Sequence, residues 1–495
     1  MSTETDEAIT VAVDNLSKYD CDRKNKPLQG LSPYELKRLE NIRQNQAFLT
    51  AIELPQANAA LKRKPSPGGI KREKAKVSKQ EVLPLRKSLR LLKKDAEIRL
   101  LPEPQSSLQQ VEVRERPEGP VSMAPVNMEE DSLLPASLLE LWNERFTMVT
   151  KKKWNLKEYE ASLKGMGLSE ERVVKVVKER VYSAAFHPCA RRLLLAAGDR
   201  SGRVGLWDVE GDWGDDGVLL FEPHTGPVCC MAFSNTQTSS LLTLSYDGSL
   251  RGTDVERAVF DELYRSDVGL SSFDFLSHDC STLLVSDWDG DVAIVDRRTP
   301  GTSPESVSTL DPKILRCVHV HPVQKQYFVA AQNREAHIYD VRSLRRKAGP
   351  PVSTLAGHTL SVSSAYFSPI TGNRVLTTCM DDRIRVFDTS EFIPQIPLQS
   401  SVSPPCCPLG RHNMKTGRWL TKLRAVWDPK REDCFSVGSL ERPRRVELFH
   451  EGGRLLRSFR DGEHLSTVCS VTAFHPSRSA LAGGNSSGRL HLFAG

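Results

Sequence analysis

VYSAAFHPCARRLLLAAGDRSGRVGLWDV, running from Val181 to Val209, reads as three short strands. An alternating run ends at Phe186-His187-Pro188, a small-residue run from Leu193 to Ala197 stops at Gly198-Asp199, and Arg203 to Val209 closes on Trp207-Asp208. Gly, Pro and Asp stand where strands break. A sheet this small cannot bury its own faces, so it requires neighbours like itself.

The neighbours are present. The same order of signals recurs as PVCCMAFSN…SYDGSLRGTDV, SSFDFLSHD…SDWDGDVAIVDRR, RCVHVHPVQ…AQNREAHIYDVR, SSAYFSPIT…CMDDRIRVFDTS, RAVWDPKRE…GSLERPRRVELFH and SVTAFHPSR…GNSSGRLHLFAG. Seven units over the 315 residues from Val181 to Gly495 give about 45 residues each, within the WD40 period. The expected fold is therefore all-β, a seven-bladed WD40 β-propeller. The last unit runs out after its third strand, at Phe493, while Arg172 to Lys178 (RVVKVVK) precedes the first unit where VLLFEPH precedes the second. An N-terminal strand at about 171–179 is expected to complete the last blade and close the ring, so that the propeller spans 171–495 and leaves no open edge.

Before the ring the composition changes. The chain has a net charge of +6, yet Lys62 to Lys94 alone carries 13 Lys and Arg against two acids, so the remainder is net acidic. Such a tract is expected to stay disordered and to meet polyanions or an import receptor. Residues 1–30 read as disordered, 31–54 as a helix with Ser32, Pro33 and Glu35 at its start, and 55–131 as disordered basic region and linker. Residues 132–170 read as a helical segment (SLLELWNERFTMV, then NLKEYEASLKGMG) packed on the propeller beside the closing strand, its aromatics serving packing. The start MSTETDEAIT is not a signal peptide and no long apolar run occurs, so no membrane partner is expected. Eleven scattered cysteines without zinc spacing imply a reducing compartment and no metal site, and Cys406-Cys407 near His412 reads as a proline-rich loop.

Nothing supports an enzyme: there is no P-loop, no G-x-S-x-G and no H-E-x-x-H, so no catalytic residue and no cofactor are expected. The recurring Asp residues have architectural work. Asp247 is expected to meet His224, and Asp208, Asp254, Asp296, Asp340 and Asp388 close third strands. Two places exceed this minimum. Asp296-Arg297-Arg298 and Asp340-Val341-Arg342 repeat an Asp-x-Arg spacing on consecutive blades, which puts Asp and Arg on one side of the strand with Arg at the rim. The pair resembles the W-D-x-R boxes through which propeller receptors dock on the adaptor of cullin 4 ubiquitin ligases, with Val295 and Tyr339 in place of Trp. Second, the longest insertion, Phe392 to Lys422, ends in HNMKTGRWLTK and presents Lys415, Gly417, Arg418 and Trp419 before a first strand. Arg and Trp on a Gly turn suit phosphate contact and base stacking; the competing role for Trp419 is to cap the core.

ELKRLENIRQN, PLRKSLR, LKGMGLSEERVVKVVKERVYSAAFHP, AAGDRSGRVGLWDV and HNMKTGRWLT together make the chain resemble the family of WD repeat-containing protein 76 and its fungal "changed mutation rate" relatives, themselves similar to the small subunit of the UV-damaged-DNA-binding complex. The resemblance implies a nuclear, chromatin-associated protein that binds damaged or modified DNA, hydroxymethylcytosine included, and serves a cullin 4 ligase as substrate receptor. It also implies that Gly417, Arg418 and Trp419 take the position of a hairpin inserted at the lesion, with Gly in place of an aromatic. On the same mouth, loops before first strands and between second and third strands contribute Lys178, Arg200, Lys313, Arg316, Arg334, Arg383, Arg418 and Arg444, among acids such as Asp287 and Asp289. A subset is expected to contact phosphates, giving salt-sensitive binding. The alternative is a scaffold that binds histone tails or other peptides without touching DNA. Either way a monomer in a larger complex is expected.

Overall fold

The computed structural model describes residue 43 and residues 115–129, 134–143, 154–214, 216–234, 240–310, 314–390 and 406–495. Contacts divide the chain between Ser106 and Ser107. Of the first unit only Arg43 is described, helical and exposed; the expected helix at 31–54 otherwise lies outside the described residues, as does the basic tract. The repeat array belongs to the second unit, Ser107–Gly495.

Seven antiparallel sheets follow one another along the chain, as the repeat requires. Blade one runs from Val181 to Phe221, and its second and third strands, Leu194–Asp199 and Val204–Asp208, are buried throughout. Both of their faces meet neighbouring blades, which explains why they read as continuous apolar runs rather than alternating ones. The blade-to-blade contacts are correspondingly apolar: Leu194, Leu206 and Phe221 of blade one share a core with Val228, Phe233 and Phe260 of blade two.

Ring closure is as the phase of the repeat predicts. Val173–Lys175 pairs with Arg489–Ala494 in the register Val173 to His491, Val174 to Leu490 and Lys175 to Arg489. The N–H groups of Val176 and Val177 continue the clasp to the Gly488 carbonyl, at 3.0 and 3.1 Å. Gly488 has φ +84°, and a Cβ there would lie 1.9 Å from the Val177 oxygen, so this turn tolerates no side chain.

The recurring aspartates take the expected architectural places. Asp199 Oδ1 accepts from the N–H of Ser201 and of Arg203 at 2.8 and 3.0 Å. Asp287 Oδ1 does the same for Asp289 and Asp291, both at 2.9 Å. Asn485 substitutes in blade seven, accepting from Ser487 and Arg489. Asp247 Oδ2 lies 3.4 Å from His224 Nδ1, and that imidazole also meets Ser249 Oγ and Thr243 Oγ1. At the other ends of the third strands, Asp254, Asp296, Asp340 and Asp388 each accept a backbone N–H from the turn that follows.

Three expectations need correction. The basic region and linker placed at 55–131 is not structureless over 115–129, because blade two leaves an unpaired edge and a buried cation for this segment to satisfy. Val121–Ser122 pairs with Phe260 and Val259 as a fifth strand, and Met123 is buried beside it. Arg251, 0% exposed on the third strand of blade two, donates to the carbonyls of Gly119 and Pro117 at 2.6 and 2.7 Å. Arg116 in turn donates to the Asp247 and Ser266 carbonyls at 2.9 and 2.7 Å. The second correction concerns the helical segment, whose two helices do not lie together beside the closing strand. Helix α1 (Ala136–Asn143) buries Leu138, Leu141 and Trp142 against blades one and two. Helix α2 (Leu156–Gly165), capped by Asn155 on the Glu158 N–H, buries Tyr159 and Leu163 against the last two blades. Phe146 lies outside the described residues. Third, Cys406–Arg411 is the fourth strand of blade five rather than a loop.

Candidate nucleic-acid interface

Antiparallel strands fix the two faces of the ring. Turns between second and third strands and connections between blades lie on one face, here called the mouth; turns between first and second, and between third and fourth strands, lie on the other, the rim. The insertion before blade six crosses the mouth. It leaves blade five with the Met414 N–H on Asp382 Oδ1 and Met414 buried. It reaches blade one where Thr421 Oγ1 donates to the Val181 carbonyl at 2.5 Å and Arg180 Nη1 donates to the Arg418 carbonyl at 2.7 Å.

Between these anchors Gly417 turns the chain at φ +63°, with open space where a side chain would stand. The turn lifts Arg418 and Trp419 into solvent. Trp419 is 72% exposed, so it caps no core, and the Arg418 guanidinium lies 4.8 Å from its ring centroid. An exposed indole costs solvation unless something stacks on it, and the guanidinium covers only part of it.

Below the turn, a recess of about 210 Å³ opens on the ring axis. Its aromatic wall is Tyr182, Tyr246 and Trp288, in edge contacts at 6.0 Å (Tyr182 to Tyr246) and 5.3 Å (Tyr246 to Trp288). Its cations are Arg180, Arg316, Arg418, Lys422 and Arg424, with Arg316 5.6 Å from the Trp288 ring; no carboxylate lines it. Among the described residues none of these five forms an ion pair within 4 Å. Burial pulls Arg316 and Lys422 below their ordinary pKa values; the Arg424 charge works further against Arg316, and the Arg316 charge against Lys422. The acids of this face are held elsewhere: burial would raise the Asp247 carboxyl, but its hydrogen bonds to His224, Ser249 and the Thr225 N–H hold it well below the usual range.

Of the residues singled out in the sequence, Arg316 and Arg418 come together at this recess, and Trp419 stands outside it against the Arg418 guanidinium. Lys178, Arg200, Arg334 and Arg383 are exposed on the surrounding turns, and Arg444 is half-buried with Nη1 on the Leu440 carbonyl. Lys415 leans on Asp382 at 3.6 Å. Asp289 is exposed here too, whereas Asp287 is buried in its turn. Lys313 lies outside the described residues. Sequence reasoning missed Arg180, Lys422, Arg424 and the three aromatics. Alternation carried back from Val426 would have found two of them: Thr421, Leu423 and Ala425 are buried, so Lys422 and Arg424 turn to the axis.

On the rim, Arg298 and Arg342 repeat one geometry on adjacent blades. Each is 69% exposed and grips its own aspartate, Nη2 to Oδ2 at 2.6 Å and Nε to Oδ1 at 3.0 Å, on Asp296 and Asp340 respectively. Among the described residues no group of three or more His, Cys, Asp or Glu is arranged to hold a metal.

The sequence model of the WD domain, G-beta repeat family matches residues 217–252 and 349–388. WD repeat-containing protein 76 of Rhinolophus ferrumequinum is 45% identical over 99% of this chain and 79% of its own length. The protein of that name from Xenopus laevis is 46% identical over 94% and 80%. DNA damage-binding protein cmr1 of Neurospora crassa is 27% identical over 94% and 98%. A seven-bladed ring with these flanking segments, matched nearly end to end at such identity, places the chain in the WD repeat-containing protein 76 family.

Proposed function

We propose that the protein is a non-enzymatic, nuclear DNA-binding propeller that prefers damaged or modified DNA and links it to a cullin 4 ligase and chromatin proteins. The carrying observation is the solvent-exposed Trp419 with Arg418 on a loop pinned across a mouth whose recess holds cations and aromatics without acids. Phosphate contacts come from the perimeter, from Arg200, Arg334 and Arg383, and are electrostatic and sequence-independent. Preference for altered DNA comes from Trp419, because a weakened base step is the one an aromatic side chain can enter or stack on at low cost. The fungal relatives' name, DNA damage-binding protein, supports the same reading.

The ligase role rests on the rim. Arg298 and Arg342 are exposed planar groups held rigid by their aspartates, a suitable anchor pair for the adaptor. The test of DNA binding uses the full chain and undamaged, UV-damaged and hydroxymethylated duplexes in fluorescence anisotropy. Arg418→Ala with Trp419→Ala is expected to cost about tenfold or more on altered duplexes, from a stacking contribution of roughly 1–3 kcal/mol, and less on undamaged ones. An unchanged affinity would overturn the assignment and favour a peptide-binding scaffold.

A further inference from the structure

The recess beneath the Gly417 turn is too small for the work assigned to the rest of the mouth. A duplex, whose major groove alone is about 12 Å wide, spreads over the face and cannot enter about 210 Å³. Yet Lys422, Arg424 and Arg316 converge there with Nε of Arg316 and of Arg424 buried and without an acceptor. Crowded like charges with no counter-charge are destabilising unless an anion is to join them. Beside them stands an aromatic wall, which a free phosphate would not use.

We infer that the axial recess is a mononucleotide site, with Lys422, Arg316 and Arg424 holding a phosphate and the attached base lying against Trp288 and Tyr246. This rests on the mouth being the face that meets DNA, and it names what the recess takes: one unpaired nucleotide, at a strand end or extruded from a duplex. Arg418, which lines the recess and carries Trp419 against its guanidinium, joins the exposed indole to the same site. A free nucleotide has the same chemistry and is the second source the experiment must separate. Burial and mutual repulsion already depress the affinity of Arg316 and Lys422 for their protons, and a bound phosphate would relieve both.

The experiment compares a blunt duplex with the same duplex carrying a 5′-phosphorylated one-nucleotide overhang, and titrates dAMP and inorganic phosphate in parallel. The full chain is expected to prefer the overhang about tenfold, and dAMP is expected to compete for the overhang but not for the blunt duplex. Lys422→Ala with Arg424→Gln should abolish the preference, bringing the overhang and blunt-duplex affinities to within twofold of each other. Lys422→Ala alone covers the case in which the double variant does not fold, and should cut the preference at least threefold. Blunt-duplex binding with no overhang preference in the unsubstituted protein would overturn the nucleotide site and leave the DNA reading standing. Equal affinity for dAMP and inorganic phosphate would overturn it too. Binding of dAMP without binding of either duplex would support the recess and remove the DNA reading.

Discussion

The two faces of the ring treat their arginines oppositely. On the rim, Arg298 and Arg342 each lie on an aspartate two residues away, and that contact holds the Asp296 carboxyl down to about 2. At the mouth Asp199 and Asp287 accept from the backbone N–H groups of their own turns and Asp381 holds Arg385, while Arg180, Arg316 and Arg424 face the axis without a carboxylate. The same residue types therefore present neutralised, oriented planes on one side and a recess of unpaired cations on the other. The second suits a phosphate, whereas the first suits neutral acceptors such as carbonyl groups. Distribution of acids, more than of bases, separates the two surfaces.

The sharpest way to break this contrast is charge reversal on each face in turn. Arg418→Glu with Arg383→Glu at the mouth is expected to weaken duplex binding about 100-fold, near 3 kcal/mol, while Arg298→Glu with Arg342→Glu leaves it within twofold. Equal losses in anisotropy titrations would mean that both faces act merely as parts of one cationic surface.

Acid should also distinguish the faces. His187, His321 and His475, on rim-face turns, are buried and held down to about 4, about 4 and about 3, each chiefly by loss of solvation; on the mouth His358 is held down to about 4 for the same reason. A base whose folded value is lowered takes up protons first in the unfolded chain, so stability is full above about 6.5 and is lost as pH falls towards 4. For His475 alone the loss at pH 4.5 is about 2–3 kcal/mol. His475→Asn is expected to remove that share of the difference between chemical-denaturation midpoints at pH 7 and pH 4.5. On the mouth, Asp247 and Asp381 are lowered instead and keep their contribution until more acidic conditions, whereas burial raises Asp199 and Asp287.

A smaller effect, but a cleaner separation, comes from Arg298→Ala with Arg342→Ala. Adaptor recovery in co-purification should fall at least tenfold with DNA affinity intact, and retained recovery would remove the rim from the ligase reading. Smallest is the salt response: each phosphate-contacting mouth arginine replaced by Ala should reduce the slope of log K against log salt by about 0.9, and each rim arginine by nothing.

The ring was legible because its signals are periodic and local. A Gly-Asp turn, an apolar run and a terminal Asp recur from blade to blade, and the missing fourth strand of the last unit pointed directly to Val173–Lys175. The segment at 115–129 was not legible for the opposite reason: its order depends on Arg251 and on the edge of blade two, more than a hundred positions away, and nothing in its own composition announces them. The site was half legible. Arg418 and Trp419 stand out as a polar-aromatic insertion, but Lys422 and Arg424 become site residues only when the strand's alternation is referred to a central axis, and Tyr246 and Trp288 only when separate blades are brought round it.

One consequence of the buried Arg251 bears on how the protein is cut down for study. Its guanidinium is enclosed, with Glu262 and the Phe260 carbonyl on one side and Gly119 and Pro117 supplying two further acceptors; losing the latter two costs about 1–3 kcal/mol. A minimal folding unit therefore starts no later than Arg116, and a protease that nicks between Pro117 and Met123 should destabilise blade two instead of merely trimming a tail.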